Sequence, residues 1–228
     1  MKFAWVDERN GRSGIVAEPE EYDGVPWFNS LWLDASPESV HPDRIAVAAA
    51  LAFGQYVETG LHFDRPVSVG VANAIRRFLG RPNLDISPVT YKQRLFATGS
   101  GRLVLGVDEP HMQQDNGFLA QWTSFLNVVR SDVFTGALYS SSGLTVASNA
   151  FLFEDLVRSG PSPRSLVGAL PYLATACICA EWLASSALVV HCSEVAPLDA
   201  AGDAPASLRE LLRATALSLF LEGAARGD

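Results

Sequence analysis

The first forty residues contain short apolar runs separated by polar turn residues, which is a pattern typical of β-strands. Two such runs occupy residues 3–7 and 15–18, and the Asn10-Gly11 pair between them is a strong signal for a hairpin turn. A third apolar run lies at 30–34, after a polar loop. The pattern therefore predicts an N-terminal β-hairpin followed by a third strand.

Beyond the third run, the spacing of apolar residues lengthens from two to three and four. This spacing predicts a helix that begins at Pro42 and stops at Gly60, because proline suits the first turn of a helix and glycine suits its end. A short extended segment is predicted at 61–63, and a second helix from about Ser68 to Gly80.

Further strands are predicted where apolar residues run together without a helical period. Residues 84–89 and 91–96 have this character, and residues 103–107 form an unbroken apolar run. An unbroken run is typical of a strand that is buried on both faces of a sheet. A short apolar strand is also predicted at 188–190.

Most of the second half of the chain is predicted as helical. Apolar residues at helical spacing occur over 118–129 and 146–157, and a long apolar helix begins near Ser165 with Pro171 as a kink. The last helix is predicted over 207–220. It opens with the sequence of a capping box, in which a serine and a glutamate side chain satisfy free amides of the first turn.

Together these elements predict an α+β or α/β fold, with an N-terminal β-hairpin, a mixed sheet with helices and a predominantly helical C-terminal half. A chain of 228 residues suits a single domain over 1–228. The alternative is a division into an α/β part, residues 1–110, and a helical part, residues 111–228.

The composition is that of a folded, acidic protein. Hydrophobic residues make up 48% of the chain and charged residues 18%, which is the opposite of the pattern of disordered proteins. The 17 basic and 25 acidic side chains give a net charge of −8. No cluster of basic residues offers the footprint that direct binding of nucleic acid requires.

The sequence also argues against a membrane or secreted protein. The first residues lack the apolar core of a signal peptide, and the apolar stretch 166–190 contains Pro171 and Glu181, which disfavour a membrane span. Three cysteines do not describe a disulfide framework. We therefore expect a cytoplasmic protein that does not contact membranes.

One group of candidate catalytic residues follows the apolar run at 103–107. Asp108, Glu109 and His111 stand directly after this strand, and Asp115 comes shortly afterwards. In α/β proteins, ligands bind at the carboxyl ends of strands. Two carboxylates and an imidazole could there divide the roles of acid and base, or hold a divalent metal. The alternative is a solvated loop with Asp115 or Asn116 capping the next helix.

A second candidate is a small, hydroxylated turn. Ser141, Ser142 and Gly143 precede a helix predicted to start near Thr145, and free amides at the start of a helix can bind a phosphate. We take these three residues as candidates for substrate binding. An ordinary turn without a ligand is the alternative, because serine and glycine are common in turns.

The cysteines and a nearby histidine form a third group, comprising Cys177, Cys179, His191 and Cys192. Two cysteines separated by one residue in a helix point about 200° apart, so they cannot easily hold one ion. We expect buried cysteines that pack as small hydrophobic residues, and we predict no metal site. His191 is a candidate base at the end of a strand, with a packed histidine as the alternative.

A stretch from Ala49 to Leu79 resembles part of a known family. It contains Gly54, the segment 61–68 and Asn73, and it is similar to the region ahead of the PP-loop domain in 7-cyano-7-deazaguanine synthase-like proteins. The resemblance covers about a seventh of the chain.

The PP-loop of that family has the form S-G-G-x-D-S and follows a strand, and it implies cleavage of ATP. This chain has instead the residues 141–146, which lack the aspartate and the final serine. We therefore take no site residue from the resemblance.

These observations leave two functions open. The first is a small cytoplasmic enzyme that acts on a small polar or phosphorylated metabolite near Asp108, with the reaction and any cofactor undetermined. The second is a non-catalytic subunit that forms a homo- or hetero-oligomer. A degenerate PP-loop-like protein would be a subunit of this kind. Tryptophan is enriched at interfaces, and aromatic residues cluster near the N-terminus at Trp5, Trp27, Phe28 and Trp32. Packing in the core explains the same residues.

Overall fold

The structure is a computed structural model. It describes residues 1–8, 10–92, 95–96, 99–108, 123–140, 143–155, 166–191 and 205–222.

The described residues form one large sheet and a layer of helices. The strands are β1 (Lys2–Glu8), β2 (Arg12–Glu18), β3 (Ser30–Leu33), β4 (Gly60–Ser68), β5 (Asp85–Thr90), β6 (Gly101–Val107), β7 (Thr123–Arg130), β8 (Ala137–Ser140), β9 (Gly143–Ser148), β10 (Ser185–His191) and β11 (Ser218–Glu222). The helices are α1 (Pro42–Phe53), α2 (Val69–Phe78), α3 (Ala150–Asp155), α4 (Leu166–Trp182) and α5 (Ala206–Arg213), with a short 3₁₀ turn at Gly54–Tyr56.

The sheet is mixed and consists of two parts. In the first part, the strands β11, β10, β6, β7 and β9 lie side by side in that order and are all parallel. In the second part, β3, β2 and β1 are antiparallel, and β1, β4 and β5 are parallel. Strand β8 pairs with β9 as an antiparallel neighbour. This mixed sheet with helices confirms the predicted α+β fold.

The two parts of the sheet meet at a narrow junction between β3 and β9. One backbone pair, Leu33 with Ser148, joins these strands. Side chains continue the ladder beyond that pair. Asn149 Oδ1 accepts from the backbone N–H of Trp32 at 2.9 Å, and its Nδ2 donates to the carbonyl of Ser30 at 2.8 Å. The Ser148 hydroxyl donates to the carbonyl of Trp32 at 2.7 Å. Side chains therefore supply several of the hydrogen bonds that hold this junction.

The N-terminal half has the predicted elements. Strands β1 and β2 form the hairpin, β3 follows it, and α1 begins at Pro42 as expected. Helix α2 begins after Ser68, whose hydroxyl accepts from the N–H of Val71 at 3.4 Å as a cap. Helix α1 ends earlier than predicted, at Phe53, where the 3₁₀ turn takes over. A strand was also predicted at 91–96, but the described residues of this range do not form a strand.

The prediction that the C-terminal half is mainly helical is wrong. Residues 123–130 form strand β7, and residues 143–148 form strand β9, so that a helix begins only at Ala150. Strand β7 lies between parallel neighbours, and β9 lies within the large sheet. Both strands carry buried residues at consecutive positions. A strand buried on both faces does not alternate, so its apolar residues can fall at helical spacing by chance.

The last predicted helix is also wrong in two respects. Helix α5 ends at Arg213, and residues 218–222 form strand β11, with Ala216 between them in the left-handed region at φ 57°. The predicted capping box is not used. Pro205 precedes the helix, and no side chain caps its first turn.

Helix α4 forms the centre of the helical layer. It packs along α1, and nearly all of its described side chains from Gly168 to Ala180 are buried. The start of α1 lies against the end of α4, because the backbone N–H of His41 donates to Glu181 Oε2 at 3.2 Å and Arg44 Nη1 donates to the carbonyl of Cys177 at 3.0 Å. Within the described ranges, no helix is long and apolar enough to cross a membrane.

Candidate functional site

The order of the parallel strands reverses at β6. From β6 the chain moves outward through β7 to β9 and then returns to the other side of β6 with β10 and β11. The strands that follow β6 and β10 in the chain, β7 and β11, therefore lie on opposite sides of this pair. In open α/β sheets, ligands bind in the crevice outside such a reversal of strand order.

Asp108 stands at this reversal of strand order, directly after β6. Its backbone is left-handed, with φ 56°, a conformation that few residues other than glycine adopt and that aspartate and asparagine tolerate best. The backbone N–H donates to the carbonyl of Val128 at 3.1 Å, and the carboxylate Oδ1 accepts from the N–H of Arg130 at 3.0 Å. Strand β7 therefore holds both the backbone and the carboxylate of Asp108 at the edge of the sheet.

Positive charge lies next to Asp108 at the same edge. Arg130 ends β7, and its Nε and Nη2 donate to the carboxylate oxygens of Asp132 at 3.1 and 2.9 Å. The hydrogen bonds from Arg130 hold the pKa of Asp132 below its usual value. The guanidinium carbon of Arg130 also lies 4.2 Å from the centre of the Phe151 ring. The edge therefore carries both signs of charge on neighbouring strand ends.

The other predicted catalytic residues cannot be placed. Glu109, His111 and Asp115 lie outside the described residues. The convergence of Asp108, Glu109 and His111 in one pocket therefore stays a prediction. His191 is the last residue of β10, the other strand at the reversal of strand order.

Of the turn predicted to bind substrate, the structure describes one residue, Gly143. Ser141 and Ser142 are outside the described residues, and Gly143 is the first residue of β9. Gly143 pairs with Phe125, so it lies at the amino ends of the parallel strands, whereas Asp108 lies at their carboxyl ends. The structure does not bring the two candidates together.

Packing explains why residue 143 is a glycine. A Cβ atom on Gly143 would overlap the carbonyl oxygen of Phe125 on the neighbouring strand. The helix that was predicted to start near Thr145 begins at Ala150 instead, so Gly143 does not lie at the start of a helix. A role for Ser141, Ser142 and Gly143 in binding substrate remains a prediction.

The two described cysteines have the character of packed apolar residues. Cys177 and Cys179 are fully buried in α4. Burial raises the pKa of both thiols, for Cys179 to about 12, and the nearby Arg44 only partly opposes the effect at Cys177. Among the residues that the structure places, no three histidine, cysteine or acidic side chains lie together as a metal site would require. Cys192 lies outside them.

A polar cluster around His62 was not apparent from the sequence. His62 Nδ1 lies 2.8 Å from Ser87 Oγ, and its Nε2 lies 3.2 Å from Glu20 Oε2. The amino group of Met1 lies 3.1 Å from the same Glu20 oxygen and 2.6 Å from Asp23 Oδ2. These contacts tie the starts of β1, β4 and β5 to the loop after β2.

The electrostatics of this cluster favour ionised carboxyl groups. Hydrogen bonding to the Met1 amino group lowers the pKa of Glu20. At Asp23 burial opposes ionisation, but hydrogen bonds from the N–H of Glu58 and from the Met1 amino group lower the pKa overall. The only sign of the cluster in the sequence is its residue types, because the pairing of β4 with β5 is what places His62 beside Ser87.

Comparison of the chain with models of protein families, with curated proteins and with solved structures found no match.

Proposed function

We propose that this protein is a small cytoplasmic enzyme that holds a small polar or phosphorylated metabolite in the crevice between the carboxyl ends of β6 and β10. The observation that carries the proposal is the reversal of strand order at β6, because the diverging loops at such a point leave room for a ligand. Asp108 follows β6 at this point, and its left-handed backbone supports the same reading, since strained residues cluster at functional sites.

The residues around the crevice suggest how the enzyme would bind and act on its substrate. Asp108 offers a carboxylate, and Glu109 and His111 follow it closely in the chain, so acid and base roles can be divided among them. Arg130 ends the adjacent strand and supplies a cation of the kind that binds phosphate.

A ligand screen tests this proposal. We expect thermal unfolding in the presence of nucleotides, sugar phosphates and short carboxylic acids, each with and without Mg²⁺, to reveal at least one compound that raises the melting temperature, because a ligand of the native state stabilises it. ATP belongs in the panel because of the resemblance to 7-cyano-7-deazaguanine synthase-like proteins.

A conservative variant then tests the site. Asp108→Asn keeps a residue that tolerates φ 56° and an oxygen that can accept from Arg130, so the variant should fold as the wild type does but lose the response to the ligand. Asp85→Asn, an exposed aspartate of β5, is the matched control and should keep it. A panel without any stabilising compound, or an Asp108→Asn variant that responds like the wild type, would contradict the proposal.

An oligomeric, non-catalytic subunit is the second candidate, and one observation favours it. Trp27 is 78% exposed and follows Val25 and Tyr22, which are also largely exposed, in the loop between β2 and β3. Of the other aromatic residues predicted as interface anchors, Trp5 and Phe28 pack against the core, and Trp32 stacks under the guanidinium of Arg12 at 3.8 Å.

Light scattering during size-exclusion chromatography tests this candidate. If the chain self-associates through the loop, the wild type elutes as a dimer or larger species, and Trp27→Ser shifts it to a monomer. Tyr91→Ser, at an exposed tyrosine elsewhere, is the control and should leave the mass unchanged. A wild type that is monomeric at all concentrations would exclude self-association.

A further inference from the structure

A separate cavity lies in the helical layer. Its volume is about 280 Å³, and it opens between the ends of α1 and α2 and the start of α4. None of the strand-end residues of the proposed crevice lines it. Four separate elements of the helical layer supply most of its walls: Ala50, Leu51 and Ala52 from α1, Phe78 from α2, Phe153 from α3, and Val167, Leu170 and Pro171 from α4.

Most of the residues that line the cavity have apolar side chains, and the polar side chains of Gln55 and Arg81 also line it. Ala50 and Ala52, near the end of α1, contribute only short side chains to the lining. At the mouth, Val167 is 46% exposed, so apolar surface continues from the cavity to the solvent. A cavity of this kind, with few polar groups, is the usual environment of a small ligand in a protein.

One charged group faces this apolar space. Arg81, directly after α2, lines the cavity, and its Nη1 is buried without a hydrogen-bond partner among the described residues. Its Nη2 lies 3.5 Å from Glu58 Oε1, a long contact to a carboxylate that is itself 58% exposed. Such a surface pair contributes little. A buried donor that makes no hydrogen bond is costly, and it gains most from an acceptor that enters the cavity.

The charge and the volume together define the ligand. A guanidinium favours a carboxylate, which can accept two parallel hydrogen bonds from it. At about 30 Å³ for each water molecule of liquid, a volume of about 280 Å³ corresponds to roughly nine such molecules. It therefore suits a molecule of about eight to ten heavy atoms.

We propose that this cavity binds a small amphipathic carboxylic acid, whose apolar body of about six to eight carbons lies among the walls from α1, α2 and α4 and whose carboxylate pairs with Arg81. The site is independent of the crevice at β6, so its occupation does not require the proposed enzymatic function.

Titration calorimetry with octanoate tests the proposal. We expect saturable binding of one octanoate per chain, at least tenfold weaker binding of octanol, and no binding of octylamine, since the uncharged and positively charged molecules of the same length cannot pair with Arg81. If octanol and octylamine bind as well as octanoate, the cavity does not select an anion and the proposal is wrong. If octanoate does not bind at up to 10 mM, it is also wrong.

Variants place the binding in the cavity. Arg81→Gln should weaken the binding of octanoate at least tenfold. Arg77→Gln removes the same charge from an exposed arginine outside the cavity and should leave the affinity for octanoate unchanged. Val167→Trp adds a large side chain at the exposed mouth, where it should not disturb folding, and should abolish binding. Equal affinity of Arg81→Gln and the wild type would overturn the proposal.

A further variant tests the role of the ion pair if Arg81→Gln does not fold. Glu58→Gln removes the carboxylate that competes for Arg81, and it lies on the surface, so we expect a folded protein that binds octanoate more tightly than the wild type. Weaker binding by this variant would contradict the proposed pairing.

Discussion

The junction between the two parts of the sheet offers a direct test of the structure. Asn149 is 3% exposed and makes two hydrogen bonds to the backbone of β3, one to the N–H of Trp32 and one to the carbonyl of Ser30. In Asn149→Ala both bonds are lost together. At roughly 0.5–1.5 kcal/mol for each bond, the free energy of unfolding should fall by roughly 1–3 kcal/mol.

Urea denaturation followed by circular dichroism measures this change. The midpoint should shift while the slope of the transition stays constant, because a single cooperative unit exposes the same surface in both proteins. The matched control is Asn73→Ala, since Asn73 is exposed on α2 and its side chain accepts a hydrogen bond from the half-buried Arg76 of the same helix. Surface changes of this kind usually alter stability by at most about 0.5 kcal/mol.

The comparison with the control tests the role of Asn149 at the junction. If Asn149→Ala and Asn73→Ala are equally stable, the side chain of Asn149 does not hold β3 against β9. A smaller slope for Asn149→Ala alone would show instead that the two parts of the sheet unfold separately when the junction is weakened.

Three further predictions concern packing, pH and the accessibility of the thiols. Gly143→Ala should lower the free energy of unfolding by about 1–3 kcal/mol, because the new Cβ overlaps a carbonyl of β7. The control is Gly70→Ala, where the new Cβ meets open space, and it should leave the stability unchanged or slightly higher. Chemical denaturation compares the two variants. Cys179, with its pKa raised to about 12, stays protonated in the folded state while the unfolded thiol ionises near pH 9. The free energy of unfolding should therefore fall as the pH rises from about 9 toward 12, by up to about 1.4 kcal/mol per pH unit for this thiol. In the same denaturation series, the free energy of unfolding of Cys179→Ala should fall less steeply with pH. Equal slopes would contradict the assignment. Cys177 and Cys179 should also resist a thiol reagent until denaturant is added, as measured in a Cys192→Ala background.

The candidate site shows how far residue patterns could lead. The run at 103–107 predicted a buried strand, and β6 is one, so the position of Asp108 at its carboxyl end followed from the sequence. That β10 lies beside β6, and that the strand order reverses there, could not be predicted, because pairing between distant strands is not encoded in local spacing. The same limit applies to the turn at Gly143, whose position at the opposite edge depends on the register with β7.

The cavity beside Arg81 illustrates the same limit. The sequence showed Arg76, Arg77 and Arg81 near the end of a helix, where positive charge suits the helix dipole. Only the packing of four helical elements distinguishes Arg81, which lines the cavity, from Arg77, which pairs with Glu210 at 2.9 Å on the surface.

The sequence by itself determined the local structure where turn residues and caps mark the ends of an element. The Asn10-Gly11 turn joins β1 and β2, and α1 and α2 begin at Pro42 and after Ser68, because such signals act over a few residues. The tertiary structure alone decided β7, β9 and β11, which the spacing of apolar residues assigned to helices. Strands β7 and β9 carry buried residues at consecutive positions, so they lack the alternation that would distinguish a strand, and only their hydrogen-bonded neighbours determine their conformation. Strand β11 is short and pairs with β10 alone at the end of the sheet, so its conformation also depends on a strand that is distant in the sequence.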